Sequence, residues 1–458
     1  MHPWIPNGNE SRISFWRRVR EFAVPPSMIE TATARRRAGD WIGACAAAGF
    51  DIDVDLPAIA HAHGRELAAR IRADLRHLAP DLLRWHMPRI APDGLLRPGL
   101  TATLARYDPG GTGCGRTTPV HLVVRTAPAW ADAGQRIALA VWDGSSPGTG
   151  AVRHPHPRPD RRFRFDLHRH LWDARRSSEL RNRSGTTDFV DDGTLPEPGE
   201  RVLRGCAVGR WPAEAALLLH AEGRPAGPVL IRLGARRRVI VEPSAPANDP
   251  PALHITDGYP RGRISALPIL PDAATWALPD LQLLRAGATT ADRLHPLVAA
   301  ALVPDFSLPR MRCDTGGIEP FPVECRGQRH RIGLVDGELT ALDHSPAEIH
   351  REELLFALSG SPLPCLRAID LAHRRPDCLA GVRERLTYGD IAGALAVVEG
   401  LLGPAARLRD GALRDELDEA ARRREVHGHY RSDPPDACPP GPDRPRAHRA
   451  HPRHATAR

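Results

Sequence analysis

The sequence predicts an α+β fold, in which a central, largely antiparallel sheet with helices is flanked by N-terminal and C-terminal helical modules. Three observations support this fold class. Apolar residues recur at helical spacing before about residue 92, alternate at every second position between about 100 and 167, and return to helical spacing after about 345. Because short Gly- and Pro-rich turns separate the central strands, neighbouring strands are expected to run antiparallel.

Composition limits the size of the elements and the number of domains. The chain has 458 residues, and one hydrophobic core rarely grows beyond roughly 250 to 300 residues, so two or three domains are expected. With 46 Pro and 40 Gly, helices and strands must be short. We predict a flexible tail at 1–26, a helical module at 27–92, an α+β core with Pro-rich loops at 93–310, a small β-meander plus helical module at 311–426, and a disordered tail at 427–458.

The N-terminal helical module is indicated by a cap and by an apolar stripe. Asp40 precedes an Ala-rich turn as an N-cap. One stripe at helical spacing comprises Ile59, Leu67, Ile71, Leu75 and Leu78. The alternating "DIDVD" at 51–55 resembles the start of a calcium loop, but Leu56 stands where the turn needs glycine, which argues against calcium binding.

Alternating segments define the central core. Strands are predicted at 100–107, 119–126, 135–143 and 162–167, followed by a helix at 211–223, a strand pair within 228–243 and a helix at 290–303.

The C-terminal unit combines a meander with helices. Asp336-Gly337 gives a turn signal between two strands, and Ser345 with Glu348 forms a capping box that opens a helix. Further helices are expected at about 365–374, 376–386, 390–402 and 410–425. The pattern Gly-Asp-x-x-Gly-Ala-x-Ala occurs at both 39–46 and 389–396, where the Asp is expected to cap a helix and the small residues to allow close approach.

Charge and cysteine content bear on partners and compartment. The net charge is +8, but the chain contains no lysine, so the excess of arginine reflects codon bias as well as function. The arginine-rich pieces lack aromatic stacking partners, which argues against nucleic-acid binding, and this function is kept as the second alternative. The eight cysteines form no C-x-x-C pair, and no apolar run reaches a membrane-spanning length, so free thiols, a cytoplasmic location and no membrane partner are expected.

Two motifs suggest catalysis but fail on context. Gly110 to Thr117 fits G-x-x-x-x-G-[K/R]-T, yet Pro119 and the strand-like "VHLVV" follow where a phosphate-binding helix would have to begin. "DGSSPG" at 143–148 contains G-x-S-x-G, but Pro147 and the glycines after it oppose the helix that must follow a nucleophile elbow. A glycine-rich loop and a turn are the preferred interpretations.

The richest polar cluster lies at 154–173. His154, His156, His168 and His170 are two H-x-H pairs, and on a strand each pair would place both imidazoles on one face. If a helix starts at 168, His168 and His170 diverge by about 200°. These four histidines are candidate ligands for a divalent metal such as zinc, while surface and capping roles are the simpler interpretation.

Several stretches resemble an uncharacterised actinobacterial family of cytoplasmic proteins. They are "VPPSMIETATARRRAGDW", "LAPDLLRWHMPR", "RFDLHRHLWDARR" and the segment from "LPCLRAID" to "GDIAGALAVVEGLLG". The resemblance covers most of 24–426 and implies an association with ATPases of the MoxR type and their von Willebrand A partners. It brings no assigned activity and no site residues.

We therefore expect a non-enzymatic cytoplasmic scaffold or adaptor that binds a protein partner, and the resemblance implies an ATPase as that partner. No catalytic or cofactor-binding residue is assigned. The alternative is a metal-dependent enzyme that uses the histidine cluster.

Overall fold

The computed structural model describes residues 9–108, 118–132, 134–144, 154–184, 205–234, 237–243, 253–255, 261–303, 306, 321–325, 328–335, 338–345, 347–351, 354, 364–365, 367, 379–402 and 411–432. The helices are α1 (Asn9–Phe22), α2 (Pro26–Arg37), α3 (Trp41–Ala47), α4 (Leu56–His63), α5 (Arg65–Leu75), α6 (Pro80–His86), α7 (Leu180–Arg183), α8 (Trp211–Ala221), α9 (Asp272–Thr275), α10 (Pro279–Arg285), α11 (Pro296–Leu302), α12 (Leu379–Tyr388), α13 (Ile391–Leu402) and α14 (Ala412–Ser432). The strands are β1 (Phe50–Asp53), β2 (Arg89–Ile90), β3 (Leu95–Leu96), β4 (Thr101–Tyr107), β5 (Val120–Thr126), β6 (Ile137–Trp142), β7 (Val229–Arg232), β8 (Arg238–Pro243), β9 (Leu253–Ile255), β10 (Phe321–Cys325), β11 (Gln328–Val335) and β12 (Glu338–Ala341).

The central sheet has the strand order β1-β6-β5-β4 and is mostly antiparallel. Its β4–β5 and β5–β6 pairs are antiparallel, while β1 runs parallel to β6 with Phe50 opposite Ile137. Helices from both ends of the chain flank this sheet, so the predicted α+β class is confirmed. The "DIDVD" segment supplies β1: Phe50 is buried, and its pairing with β6 gives the parallel edge.

Three predicted features around the smaller sheets are confirmed. The strand pair at 228–243 forms β7 and β8, and the meander forms β10-β11-β12, whose second turn, Asp336-Gly337, lies outside the described residues. In the capping box the Ser345 N–H donates to Glu348 Oε2 at 2.9 Å, and the Glu348 N–H donates to Ser345 Oγ at 3.2 Å.

The structure describes the strands on either side of the glycine-rich motif. Gly110 to Thr117 lies outside the described residues, but β4 ends at Tyr107 and the antiparallel β5 begins at Val120. A strand thus follows the motif, as the sequence predicts. The residues after Gly144 in the G-x-S-x-G motif also lie outside the described part.

The segment 162–167 corrects one strand prediction. It forms turns, and only Arg164 makes an isolated bridge, to Thr103 of β4. Local bonds replace a ladder here, because the Arg162 N–H donates to Asp160 Oδ1 at 3.0 Å and the Arg164 guanidinium binds Asp166. Such side-chain bonds offer the backbone an alternative to pairing.

The tails predicted at both ends need correction where the structure describes them. Residues 9–22 form helix α1, in which Val19 is fully buried against the main core. Residues 427–432 continue α14, and His427 is buried with its ring nitrogens 3.0 Å from the Ala131 carbonyl oxygen and 3.2 Å from Asp51. Both helices are rich in arginine, so their sequences do not show the apolar pattern that would predict a buried helix. The domain boundaries predicted at 92 and 310 stay predictions.

Both copies of the Gly-Asp pattern cap helices. Asp40 accepts the Gly43 N–H at 2.8 Å at the start of α3, and Asp390 accepts the Gly393 N–H at 3.0 Å at the start of α13. Gly389 has φ +84°, and an added Cβ there would lie 2.0 Å from the Gly134 carbonyl oxygen. The expected close approach is therefore real, although the neighbour is a loop of the central sheet.

One buried arginine connects three distant parts of the chain. Arg84 of α6 is 1% exposed. Its guanidinium donates to the carbonyl oxygens of Ala23 at 3.2 Å, Gln135 at 2.5 Å and Tyr388 at 3.0 Å. Burial lowers the pKa of Arg84 to about 10, so the group stays charged at neutral pH. These bonds fasten the α1–α2 junction, the turn before β6 and the end of α12 to one point.

Replacing Arg84 should therefore destabilise the protein. In Arg84→Met three buried carbonyls lose a charged donor, and we expect the free energy of unfolding in urea to fall by about 3 kcal/mol. The exposed Arg72→Met on α5 is the control and should change it by less than about 0.5 kcal/mol. Equal stability of the two variants would contradict the role given to Arg84.

Candidate functional site

A cavity of about 130 Å³, partly open to solvent, lies beside helix α1. One face of α1, the end of α6 with the residues after it, the turns at 162–171, and the segment from α9 into α10 form most of its wall. We call it the α1 cavity. Its wall is rich in arginine and aromatic side chains, so both charge and apolar surface are available to a ligand.

Helix α1 presents three cavity residues at a spacing of four. Arg12, Trp16 and Arg20 therefore share one face of the helix and all line the cavity. The Arg20 guanidinium lies 5.3 Å from the ring centroid of Trp16 and 4.5 Å from that of Trp85. These cation–π contacts order the aromatic wall on the α1 side.

A buried ion pair fixes α1 in place. Arg20 Nε and Nη2 donate to the two carboxylate oxygens of Asp280 at 2.8 and 2.7 Å, and Nη1 donates to the Trp85 carbonyl at 2.7 Å. The Trp85 indole N–H also donates to Asp280, at 3.0 Å. Burial would raise the pKa of Asp280, but Arg20 and His86 nearby outweigh burial and hold that pKa below its ordinary value. The bidentate geometry joins α1 to α6 and α10.

Arg12 is buried on the cavity wall without an acidic partner. It is 6% exposed, and burial lowers its pKa. Its guanidinium carbon lies 5.7 Å from the ring centroid of Trp276, and its Nε has no hydrogen-bond partner. Among the residues that the structure describes, no carboxylate lies within ion-pairing distance of Arg12.

Arg89 on the same cavity wall is also buried without an acidic partner. It is 3% exposed, and burial, followed by the nearby charge of Arg84, lowers its pKa well below the ordinary 12.5. Its terminal nitrogens donate to the carbonyls of Gly94 at 3.5 Å and Arg84 at 2.9 Å, and its Nε has no partner. No ion pair joins it to a carboxylate within the described ranges.

Unsatisfied buried nitrogen atoms gather at this cavity. Buried polar atoms nearly always have hydrogen-bond partners, so those without one need an explanation. In the described part of the chain, the following atoms of cavity-lining residues are buried without a partner: Arg12 Nε, Trp16 Nε1, His86 Nε2, Arg89 Nε and His170 Nδ1. Three of them can only donate, and the imidazole nitrogens can donate as one tautomer. The wall therefore offers donors to a ligand that accepts.

The two cavity histidines are neutral at pH 7. Burial lowers the pKa of His86 to about 3. Burial, with the neighbouring His168 and Arg183, lowers the pKa of His170 well below its ordinary value. The positive charge of the wall therefore comes from arginine.

Glu214 neutralises cationic groups beside the cavity. This carboxylate is 4% exposed and accepts hydrogen bonds from His168 Nε2 at 3.1 Å, Arg183 at 2.8 and 2.7 Å, and Arg210 at 3.1 Å. Burial alone would raise the pKa of Glu214, but the bonds from His168 and Arg183 outweigh burial and hold the pKa far below its ordinary value of 4.5. Glu214 orders α7 and α8 around His168.

The four histidines predicted as metal ligands divide into two pairs with different neighbours. His154 Nε2 lies 2.9 Å from the Thr126 carbonyl oxygen at β5, and its Nδ1 accepts the His156 N–H at 3.2 Å. Both ring nitrogens of His168 also have partners, Arg164 O at 3.0 Å and Glu214. The rings of His168 and His170 lie 5.8 Å apart, and His170 lines the α1 cavity.

The described residues give no geometric support for a metal site at these histidines. In the part of the chain described, no group of three or more His, Cys, Asp or Glu side chains could hold a metal ion. The metal-dependent alternative and its four candidate ligands stay predictions.

The residues on α1 were not predicted as site residues because 1–26 was expected to be a tail. A usable signal was present, because Arg12, Trp16 and Arg20 repeat every four residues and therefore share one face of a helix. Arg89 gave no signal, since a single arginine after a proline has no periodicity.

No family model, curated protein or solved structure matches this chain. The resemblance to an actinobacterial family, with its implied ATPase partner, accordingly stays a prediction. Searching the helices within the described residues finds none that is both long and apolar enough to cross a membrane.

Stability at acidic pH tests the role of Glu214. Because its pKa in the folded protein is below 4.5, its contribution is present above that pH and is lost as pH falls through the folded value. At pH 7 Glu214→Gln should lower the free energy of unfolding by about 3 kcal/mol, because it leaves buried cations unpaired. The difference from wild type should shrink between pH 5 and pH 3.

The control is Glu179→Gln, which removes an exposed ion pair with Arg176. It should cost less than about 1 kcal/mol at every pH. A difference between Glu214→Gln and wild type that stays constant down to pH 3 would contradict the account of Glu214.

Proposed function

We propose that the protein binds a small anion in the α1 cavity. One observation supports this most directly: Arg12 and Arg89, both buried, line the same cavity without a carboxylate partner among the described residues. A guanidinium stays protonated in proteins, so each carries a positive charge into a buried site.

Unpaired buried charges are costly. A charge removed from water destabilises the fold by several kcal/mol unless an opposite charge and hydrogen bonds compensate it. A bound anion would supply both, since charge-assisted hydrogen bonds from arginine are short and strong. The unsatisfied nitrogen atoms on the same wall support this proposal, because all of them can donate.

Other arginines of the wall have their positive charge compensated by carboxylates. Arg162 binds Asp272 with two bonds at 3.0 and 2.7 Å, and Arg164 binds Asp166 with two at 2.8 Å. These side chains already have anionic partners within the fold. Arg12 and Arg89 have no such partner among the described residues, and a binding role accounts for the difference.

The expected scaffold or adaptor role is compatible with anion binding but is a separate hypothesis. Its test is copurification from the native host, and repeated isolation of the chain alone would argue against it. Nucleic-acid binding stays the second alternative.

The anion proposal predicts opposite effects of Arg12→Met on stability and on binding. Without ligand, the variant should be as stable as wild type or more stable, because it removes an uncompensated buried charge. Inorganic phosphate at a hundred times its Kd should stabilise wild type by about 2.7 kcal/mol, and the variant by much less at the same concentration. Thermal unfolding with increasing phosphate measures both effects.

The control is Arg431→Met, which removes an arginine paired with Asp53 away from the α1 cavity. This variant should keep the full stabilisation by phosphate. If Arg12→Met unfolds more easily without ligand yet responds to phosphate as wild type does, Arg12 is structural and the proposal fails.

A further inference from the structure

The charge of the α1 cavity indicates the charge of its ligand. Two guanidinium groups, those of Arg12 and Arg89, are without an anionic partner in the described part of the chain, whereas Arg20 has Asp280. Compensating both requires two negative charges on one small molecule. A phosphate monoester carries about −1.5 to −2 at pH 7, while a carboxylate or sulfate ester carries one charge.

The unused atoms of the two arginines suit a phosphoryl group. Arg12 and Arg89 each have an unpartnered Nε. Nε and one terminal nitrogen form the side-on edge of a guanidinium, which binds two oxygens of one phosphate with parallel hydrogen bonds. Three terminal oxygens are enough for two such edges.

The remaining wall suits an aromatic ring. The apolar side chains that line the cavity include Trp16, Trp85, Met87, Phe163, Phe165 and Leu171. An apolar cavity of about 150 Å³ holds one benzene molecule. The α1 cavity, at about 130 Å³, is therefore of a size to enclose a single ring. Inorganic phosphate would leave this apolar surface unused.

From charge, donor geometry, volume and wall together, we infer that the α1 cavity takes a small aryl phosphate monoester, with its phosphoryl group between Arg12 and Arg89 and its ring against the tryptophan and phenylalanine side chains. This inference rests on the proposed anion site and adds the charge and the ring.

Isothermal titration calorimetry of the full chain at pH 7.5 separates these requirements. Phenyl phosphate and phenyl sulfate have nearly the same shape but differ by one charge, and inorganic phosphate keeps the charge without the ring. Phenyl phosphate should bind at least about tenfold more tightly than either of the others, a ratio that calorimetry resolves easily.

Each other result has a definite meaning. Equal affinity for phenyl phosphate and phenyl sulfate overturns the inference that the ligand is a dianion. Equal affinity for phenyl phosphate and inorganic phosphate overturns the inference that the ligand has a ring. In both cases the proposed anion site survives. Absence of binding by all three compounds overturns the inference and the proposed function together.

Variants test whether Arg12 contacts the phosphoryl group of the ligand and whether Trp16 contacts its ring. Arg12→Met should remove most of the preference for phenyl phosphate over phenyl sulfate, and Arg431→Met should preserve it. Trp16→Leu should weaken phenyl phosphate by roughly tenfold and inorganic phosphate little, because only the ring of phenyl phosphate can stack on the indole. Trp16→Phe keeps an aromatic face and should retain at least about a third of the affinity for phenyl phosphate, which corresponds to a small free-energy change.

Trp16→Phe also controls for a loss of phenyl phosphate binding that is caused by misfolding. If Trp16→Leu fails to fold, the affinities of Trp16→Phe and Arg12→Met are compared instead. In each variant the ratio of the affinity for phenyl phosphate to the affinity for inorganic phosphate is measured. An unchanged preference for phenyl phosphate over phenyl sulfate in folded Arg12→Met overturns the placement of the phosphoryl group.

Discussion

The bidentate ion pair between Arg20 and Asp280 determines where helix α1 lies, and much of the structure follows from that position. The pair need not contribute much net free energy, because desolvation offsets a large part of the attraction. It gives α1 a single orientation on α6 and α10. One face of α1 then forms the cavity wall with Arg12 and Trp16. From another face, Arg18 pairs with Glu384 and Phe22 stacks on Tyr388 at 6.2 Å, so the same helix also holds the C-terminal module.

Buried arginines in this lysine-free chain fall into distinct physical classes. Arg84 has three backbone carbonyls as partners, and Arg20 has a carboxylate, so both are satisfied within the fold. Arg12 and Arg89 are equally buried, but no carboxylate pairs with either in the described ranges and, unlike Arg84 and Arg20, each has an Nε without a hydrogen-bond partner. Codon bias explains why a chain has many arginines on its surface. It does not explain a buried guanidinium without compensation, and the cost of such a charge is the physical reason to assign a ligand.

Local patterns predicted much of the fold and little of the site. Strands β4, β5 and β6 alternate at every second residue, and Asp40, Asp390 and Ser345 cap helices as their positions indicate, because these signals depend on neighbours in sequence. The turn at 162–167 alternates as a strand does, yet local side-chain bonds prevented pairing. Helix α1 was missed because Arg12 and Arg20 make buried contacts with Trp276 and Asp280, which lie far away in sequence. The cavity could not be predicted, since it depends on which side chains meet in space and on which of them find no partner.

Diffraction from crystals grown with tungstate tests the central claim most directly. Tungstate is a tetrahedral dianion, and its tungsten atom scatters anomalously, so an anomalous difference map identifies it. The account predicts an anomalous peak in the α1 cavity, with oxygen atoms within hydrogen-bond distance of the Arg12 and Arg89 guanidinium groups. A cavity without a peak, in crystals that bind tungstate elsewhere, would contradict it.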